Sequence, residues 1–265
     1  MIRKQTLLLA GAMLFSAVTA SAQLKIGNRT IDVTKAAKAV SDVAAAATLS
    51  DEDIARMSHE SVEWMDAHNP VDEGEYDARL KRLTEGITDA DGLPLNFKVY
   101  YVVDVNAFAC GDGSIRVFSS LMDIMDDDEL MAIIGHEIGH VMHHDVRDAM
   151  KNAYLASAAL NAAGAAGGKL ARLSESQLGD LAAAFLDAQF SQKQEYEADE
   201  YGFEFAVSHG FSPYGMANSL NKLVELSKGA KASAVQKMFS SHPDSEKRAA
   251  RMKEKADRHM AGNGQ

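Results

Sequence analysis

Cysteine is almost absent from this 265-residue chain; Cys110 is the only one. No intrachain disulfide can form, and a lone thiolate cannot complete a cysteine-rich zinc site. Cys110 is open to being a free thiol or an interchain partner, and the expectation is a plain buried residue. Positive charge is scarce too. The chain has 27 Lys and Arg against 38 Asp and Glu, a formal net charge of −11, which argues against nucleic acid as a partner. Beyond the N-terminus no apolar run reaches the length of a membrane span. The glycine cluster at Gly164, Gly167 and Gly168 lacks the Lys-Ser/Thr pair of a phosphate-binding loop, so it is expected to be a flexible connection. Nothing resembles the strand–helix alternation of a parallel α/β protein.

What is present is an ordinary globular composition, 46% hydrophobic and 25% charged, with a distinctive start. Arg3 and Lys4 precede an apolar stretch at residues 7–18, and Ala20-Ser21-Ala22 fits a small-residue cleavage pattern. The expectation is a signal peptide over residues 1–22, cleaved after Ala22, and an exported, periplasmic mature chain. No cysteine follows the apolar stretch, so no lipid anchor is expected. Residues 23–49 read as an N-terminal leader and helix, and residues 50–265 as a single domain.

Within that domain, Ser50-Asp51-Glu52-Asp53 places acids at a helix start, where the dipole favours them. Asn69-Pro70 stops this helix. A second amphipathic helix is predicted over 73–88. Residues 95–104 form the clearest strand. A second is expected at 106–109, and after the turn at Gly111-Asp112-Gly113 a third over 115–118, giving a small antiparallel hairpin or meander. Further helices are predicted over 119–125, 126–144, 146–160, 174–207, 214–227 and 244–260.

The helix at 126–144 carries Gly135-His136-Glu137-Ile138-Gly139-His140, an instance of the H-E-x-x-H pattern. Positions i and i+4 share a helix face, so His136 and His140 can aim at one metal ion, with Glu137 beside them to reach a bound water. The helix is hydrophobic around most of its girth and reads as buried. Two histidines and a glutamate on it therefore need a polar partner, which a metal would supply. His143 and His144 read as C-terminal helix residues favoured by the dipole. A catalytic zinc site wants a third protein ligand. Glu195 and Asp199 stand i, i+4 on a predicted helix; one of these carboxylates can bind the metal while the other holds a histidine ligand's free N–H.

Taken together, the HEIGH helix, Glu195-Tyr196-Glu197-Ala198-Asp199 (E-x-x-A-D) about 55 residues later, His242-Pro243 before the last helix, and Asn106-Ala107-Phe108-Ala109 ahead of the motif resemble a known family. It is the gluzincin zinc metallopeptidases grouped around HtpX and the CAAX prenyl proteases, in particular their soluble, periplasmic LoiP/BepA-like branch. The resemblance spans about residues 50–255. It implies an α+β, mostly helical, zincin-like fold with a small antiparallel sheet beside the H-E-x-x-H helix. It further implies one Zn2+ per chain held by His136, His140 and Glu195, with Glu137 as general base and Asp199 as partner of a histidine ligand. His242 would lie near the metal as a catalytic or site-blocking group, and Arg248 matches a basic position after it. Asn106, Ala107, Phe108 and Ala109 would form the strand edge that pairs with an extended peptide. Cys110 departs from the small residue or proline common in that turn.

The expected function is an exported zinc endopeptidase acting on unfolded or damaged envelope proteins. The competing expectation is a zinc-bearing periplasmic chaperone or outer-membrane assembly factor, its proteolysis blocked by His242, with an outer-membrane assembly partner. A purely structural metal leaves Glu137 without a purpose.

Overall fold

The computed structural model describes residues 23–26, 29–32, 49–160, 173–229 and 232–262. The expected signal peptide, the Ala-rich helix at 35–47 and the glycine cluster at 164–168 lie outside these residues. Strands β1 (Gln23–Ile26) and β2 (Arg29–Asp32) pair as an antiparallel hairpin. Then follow helices α1 (Asp51–His68) and α2 (Glu75–Leu83), and five strands: β3 (Asp89–Ala90), β4 (Leu93–Pro94), β5 (Asn96–Tyr100), β6 (Ala107–Ala109) and β7 (Ser114–Phe118). Eight helices complete the order among the described residues: α3 (Ser119–Ile124), α4 (Asp127–Met142), α5 (Asp145–Leu160), α6 (Glu175–Leu186), α7 (Gln192–Ser208), α8 (Gly215–Ser227), α9 (Ala232–Ser241) and α10 (Ser245–Gly262).

The helix starts are encoded locally. Ser50, Asp126, Ser174 and Ser191 each cap a helix, and a side chain three residues on returns the bond, satisfying two exposed amide donors at once. The Ser191 box also explains a departure from expectation. Residues 174–207 are not one helix but two, because α6 ends at Asp187 and Ser191 starts α7 afresh. Helix α9 was not foreseen; it leads directly into His242.

The mostly helical α+β architecture with a small sheet is as expected, but the sheet is mixed rather than antiparallel. Its order is β5-β7-β6, with β6 antiparallel to β7 and β5 parallel to it. The β6–β7 hairpin places β7 between β5 and β6, so the two consecutive strands never pair. Alternation along a strand fixes which side chains share a face, not which strand lies beside it. The turn depends on Gly113, whose φ is +85° and whose place has no room for a side chain, since an added Cβ would fall 1.9 Å from the Pro94 carbonyl oxygen.

The sheet is buried on both faces. Ile115 and Val117 pack with α4, while Phe108 and Phe118 face a cluster built by α1, α5 and α6. Charge crosses the second face at one point. Arg116, 2% exposed, donates through Nε and Nη2 to Asp66 of α1 at 2.8 and 3.0 Å, and Lys98 Nζ and Tyr100 OH donate to the same carboxylate. Burial pushes the Asp66 carboxyl up, but its partners, Arg116 foremost, outweigh it and hold the pKa at about 2.

Helices α4 and α7 pack at unusually close range. Gly135 and Gly139 of α4 lie against Gly202 and Ala198 of α7. A Cβ on Gly202 would fall 2.7 Å from the His136 amide nitrogen and 2.8 Å from the Ala132 carbonyl oxygen, both backbone atoms of α4.

Gly202→Ala is expected to destabilise the protein by about 2 kcal/mol or more, because helix backbones must part to admit the methyl group. A urea midpoint equal to wild type would contradict this packing. Asp66→Ala strands a buried guanidinium and is expected to cost about 3 kcal/mol at pH 7. The folded pKa lies below the ordinary 3.8, so the ionised carboxylate stabilises above about pH 4 and that contribution is lost as pH falls through 2. Urea titrations at pH 7 and pH 3 should show the wild-type advantage shrinking at the lower pH.

Candidate metal centre

The geometry of the site starts from the α4–α7 contact. His136 and His140 project from one face of α4, as i, i+4 spacing dictates, and Glu195 and Asp199 project from α7 by the same rule. The close helix approach brings the two pairs together. His242 enters from the segment between α9 and α10. All of these side chains are buried, with Glu195, Asp199 and His140 at 0% exposure.

Four atoms converge. His136 Nε2 and His140 Nε2 are 3.1 Å apart, and His242 Nδ1 is 3.3 Å from His136 Nε2 and 3.0 Å from Glu195 Oε1. Glu195 Oε1 is 3.5 Å from His140 Nε2, and Oε2 is 3.7 Å from His136 Nε2. A tetrahedral ion with bonds of 2.0–2.1 Å spaces its donors about 3.4 Å apart. Imidazole and carboxylate donors at these separations fit such an ion, and the cluster His136, His140, Glu195 and His242 is the one that could hold a metal among the described residues.

The far sides of the donors are held in turn. His136 Nδ1 faces Asp199 Oδ1 at 3.0 Å. Arg248, 2% exposed, donates through Nε and Nη2 to Asp199 and reaches Glu195 Oε2 with Nη1. One guanidinium thus ties both carboxylates of α7 together. Burial pushes Asp199 up, but Arg248 and then His136 draw it below its ordinary value. Burial likewise pushes Glu195 up, and the histidines around it, His242 first, bring it far down. Both carboxylates are anionic. For His136 burial wins and its pKa falls; for His140 burial is outweighed by Asp145 and Glu195, which lift it to about 9.

Glu137 sits next to the cluster, 3% exposed, with Oε1 lacking a hydrogen-bond partner and 3.7 Å from His242 Nε2. A buried carboxylate oxygen without a donor is costly, and a water at the cluster would supply one.

The structure therefore assembles His136, Glu137, His140, Glu195, Asp199, His242 and Arg248 in one place. His143 and His144 stay exposed outside it, as read from the helix end. Glu197 points elsewhere and pairs with Lys193. Asn106, Ala107, Phe108 and Ala109 lie at the free side of the sheet, where β6 is the edge strand, yet all four are buried. Cys110 is a free, buried thiol whose pKa burial pushes well up.

Three neighbours escaped sequence reasoning. Asp145 Oδ2 lies 2.9 Å from His140 Nδ1, and Gln194 Nε2 donates to Asp145 Oδ1 at 2.8 Å. Asp145 follows the helix carrying His140 and returns to it only because His144 adopts φ +64°, a turn that no periodicity marks. Phe190 stacks on the His140 ring, centroids 3.9 Å apart. It stands in the α6–α7 break, which the Ser191 capping box could have revealed.

Residues 75–256 match the family described as Peptidase family M48. The metalloprotease LoiP of Escherichia coli is 40% identical over 211 residues, covering 78% of this chain and 82% of that protein. The metalloprotease YcaL of the same organism is 36% identical over 249 residues, covering 91% and 96%. The Escherichia coli beta-barrel assembly-enhancing protease is 29% identical over 172 residues, 62% of this chain and 35% of that protein. With the family match spanning the helix pair that carries the histidines and carboxylates, this chain belongs to peptidase family M48 and is a metalloprotease.

Proposed function

We propose that this chain is an exported zinc endopeptidase that hydrolyses peptide bonds of unfolded or damaged proteins in the bacterial envelope, with residues 50–265 as its catalytic domain. The observation that carries the reading is the convergence of His136, His140 and Glu195 with a buried Glu137 beside them whose Oε1 has no hydrogen-bond partner. In this reading those three residues hold the ion, and Asp199, Asp145 and Arg248 fix their orientation. Zinc is favoured by the imidazole and carboxylate donors at tetrahedral spacing. The N-terminal pattern at residues 1–22 supports export to the periplasm. No helix among the described residues is long and apolar enough to cross a membrane.

When bound, zinc acidifies a water molecule and polarises a carbonyl group. The rest falls to side chains. Glu137 takes a proton from the attacking water on a carboxylate oxygen and returns it to the departing amine. Asp199 and Asp145 accept from the Nδ1–H groups of His136 and His140, which leaves each Nε2 as a lone-pair donor. The substrate backbone pairs with β6. Because Phe118 donates to the Asn106 carbonyl and Cys110 donates to the Ser114 carbonyl, the intervening Phe108 also bonds toward β7, while Ala107 and Ala109 direct their amides and carbonyls to the free edge. These are the groups for β-augmentation.

A second reading rests on His242. Its Nδ1 lies among the donors rather than beyond them, so it can fill the fourth position that a catalytic site keeps for water. A protein so blocked would act as a zinc-bearing chaperone or outer-membrane assembly factor, a role to which the name of the beta-barrel assembly-enhancing relative lends support.

Glu137→Gln is expected to lower casein cleavage by about 100-fold or more while one equivalent of zinc is retained. Full activity in this variant would remove Glu137 from the mechanism. Under the endopeptidase reading the unaltered protein digests casein and a chelator stops it. Under the second reading the unaltered protein is nearly inert and His242→Ala releases chelator-sensitive digestion, so the pair of assays separates the two.

A further inference from the structure

A recess of about 290 Å³ lies between α5, the end of α6 and the start of α7. Its polar lining is Asp145, Asp148, Asn152, Gln189 and Gln194, with Phe190 as one wall, and the rest is alanine. The small alanine side chains leave the space open, enough for several ordered waters or one long side chain. Phe190 stacks on the His140 ring at 3.9 Å, and Asp145 Oδ2 lies 2.9 Å from His140 Nδ1. The recess is therefore one layer of side chains from the metal donors. Its charge is of one sign. Among the described residues no cationic side chain lines it. Asp145 serves His140 and Gln194. Asp148 is 61% exposed, and its ion pair is a long one, 3.6 Å from Arg147 Nε, while Arg147 Nη1 is drawn to Asp51 at 3.1 Å. An anionic side chain entering here meets two carboxylates, and a purely apolar one strips water from them. A long cationic chain meets neither obstacle. Its aliphatic stem lies on alanine and on Phe190, and its head reaches the carboxylates with the face of an aromatic ring beside it.

We propose that this recess is a substrate subsite for a Lys or Arg side chain from a residue near the scissile bond, with Asp148 as its specificity-determining residue. The inference rests on the protease reading above and adds a substrate class to it: segments that carry a basic residue close to the cleavage point. Asp145 stays with His140 and contributes its charge, whereas Asp148, exposed at the mouth, is free to take a new partner.

The test uses zinc-loaded full-length protein and otherwise identical peptides that carry Lys, Arg, norleucine or Glu in turn at each position near the cleaved bond. Norleucine keeps the stem of Lys and lacks its charge. At one position kcat/KM is expected to be about fivefold higher for Lys or Arg than for norleucine, and lowest for Glu. Asp148→Lys is expected to bring the Lys-to-norleucine ratio there to one or below. Glu254→Gln, which removes a negative charge from α10, is expected to leave the ratio as it was. If Asp148→Lys does not fold, the milder Asp148→Asn is expected to lower the ratio about twofold. A ratio of one at every position overturns the proposal. So does a ratio that the Asp148 variants leave unchanged or that Glu254→Gln lowers equally. The same ratio is read without turnover, as the affinity of the zinc-loaded Glu137→Gln variant for the uncleaved peptides. Chelator-sensitive casein digestion by the unaltered protein is measured alongside. Casein digestion without the Lys preference refutes the subsite and spares the protease reading; a Lys preference in binding without casein digestion does the reverse.

Discussion

The close contact between α4 and α7 is the constraint on which the site depends. Each of the two helices carries one pair of site residues, His136 and His140 on α4 and Glu195 and Asp199 on α7, and neither pair makes a centre unless the axes approach to within glycine distance. Gly135, Gly139 and Gly202 remove the side chains that would otherwise hold the helices apart. Interiors are packed too densely to absorb an extra methyl group between two backbones. The same contact also sets where Asp199 meets His136 and where Arg248 can reach both carboxylates. Ligand placement and helix packing are thus one geometric fact.

Electrostatics completes what packing begins. Glu195 and Asp199 are fully buried anions, an arrangement that would be prohibitive for either alone. Arg248 supplies one compensating charge across both, and histidines supply the rest. The Asp66–Arg116 pair solves the same problem on the far side of the sheet, but there the atoms that converge on the carboxylate, Lys98 Nζ and Tyr100 OH included, are all donors to it. The difference separates a structural ion pair from a reactive centre. In the first every polar atom is turned toward its partner. In the second Glu137 keeps an oxygen without one, beside donors spaced for a metal.

Much of the site was legible because helices are periodic. His136 and His140 had to share a face, as did Glu195 and Asp199, whatever the rest of the chain did. Acidic residues at a helix start marked the beginning of α1, because the dipole favours them there. Asp145 was not legible, because its return to His140 depends on a left-handed turn at His144. Phe190 was hidden by reading 174–207 as one helix. The resemblance pointed to His242, yet its position as a fourth donor rather than a distant partner rests on how α9 delivers it.

The sequence by itself determined that two histidines and a glutamate would lie together on a buried helix, that two carboxylates would share the face of another, and that cysteine ligation was excluded. These are consequences of helical repeat and composition, which act over a few residues. Only the tertiary structure decided that the two faces meet, that β7 separates β5 from β6, and that His242, Asp145 and Phe190 close around the same point. Those contacts join residues as far as 106 positions apart. They are fixed by which surfaces can approach without steric overlap, and no local pattern encodes that.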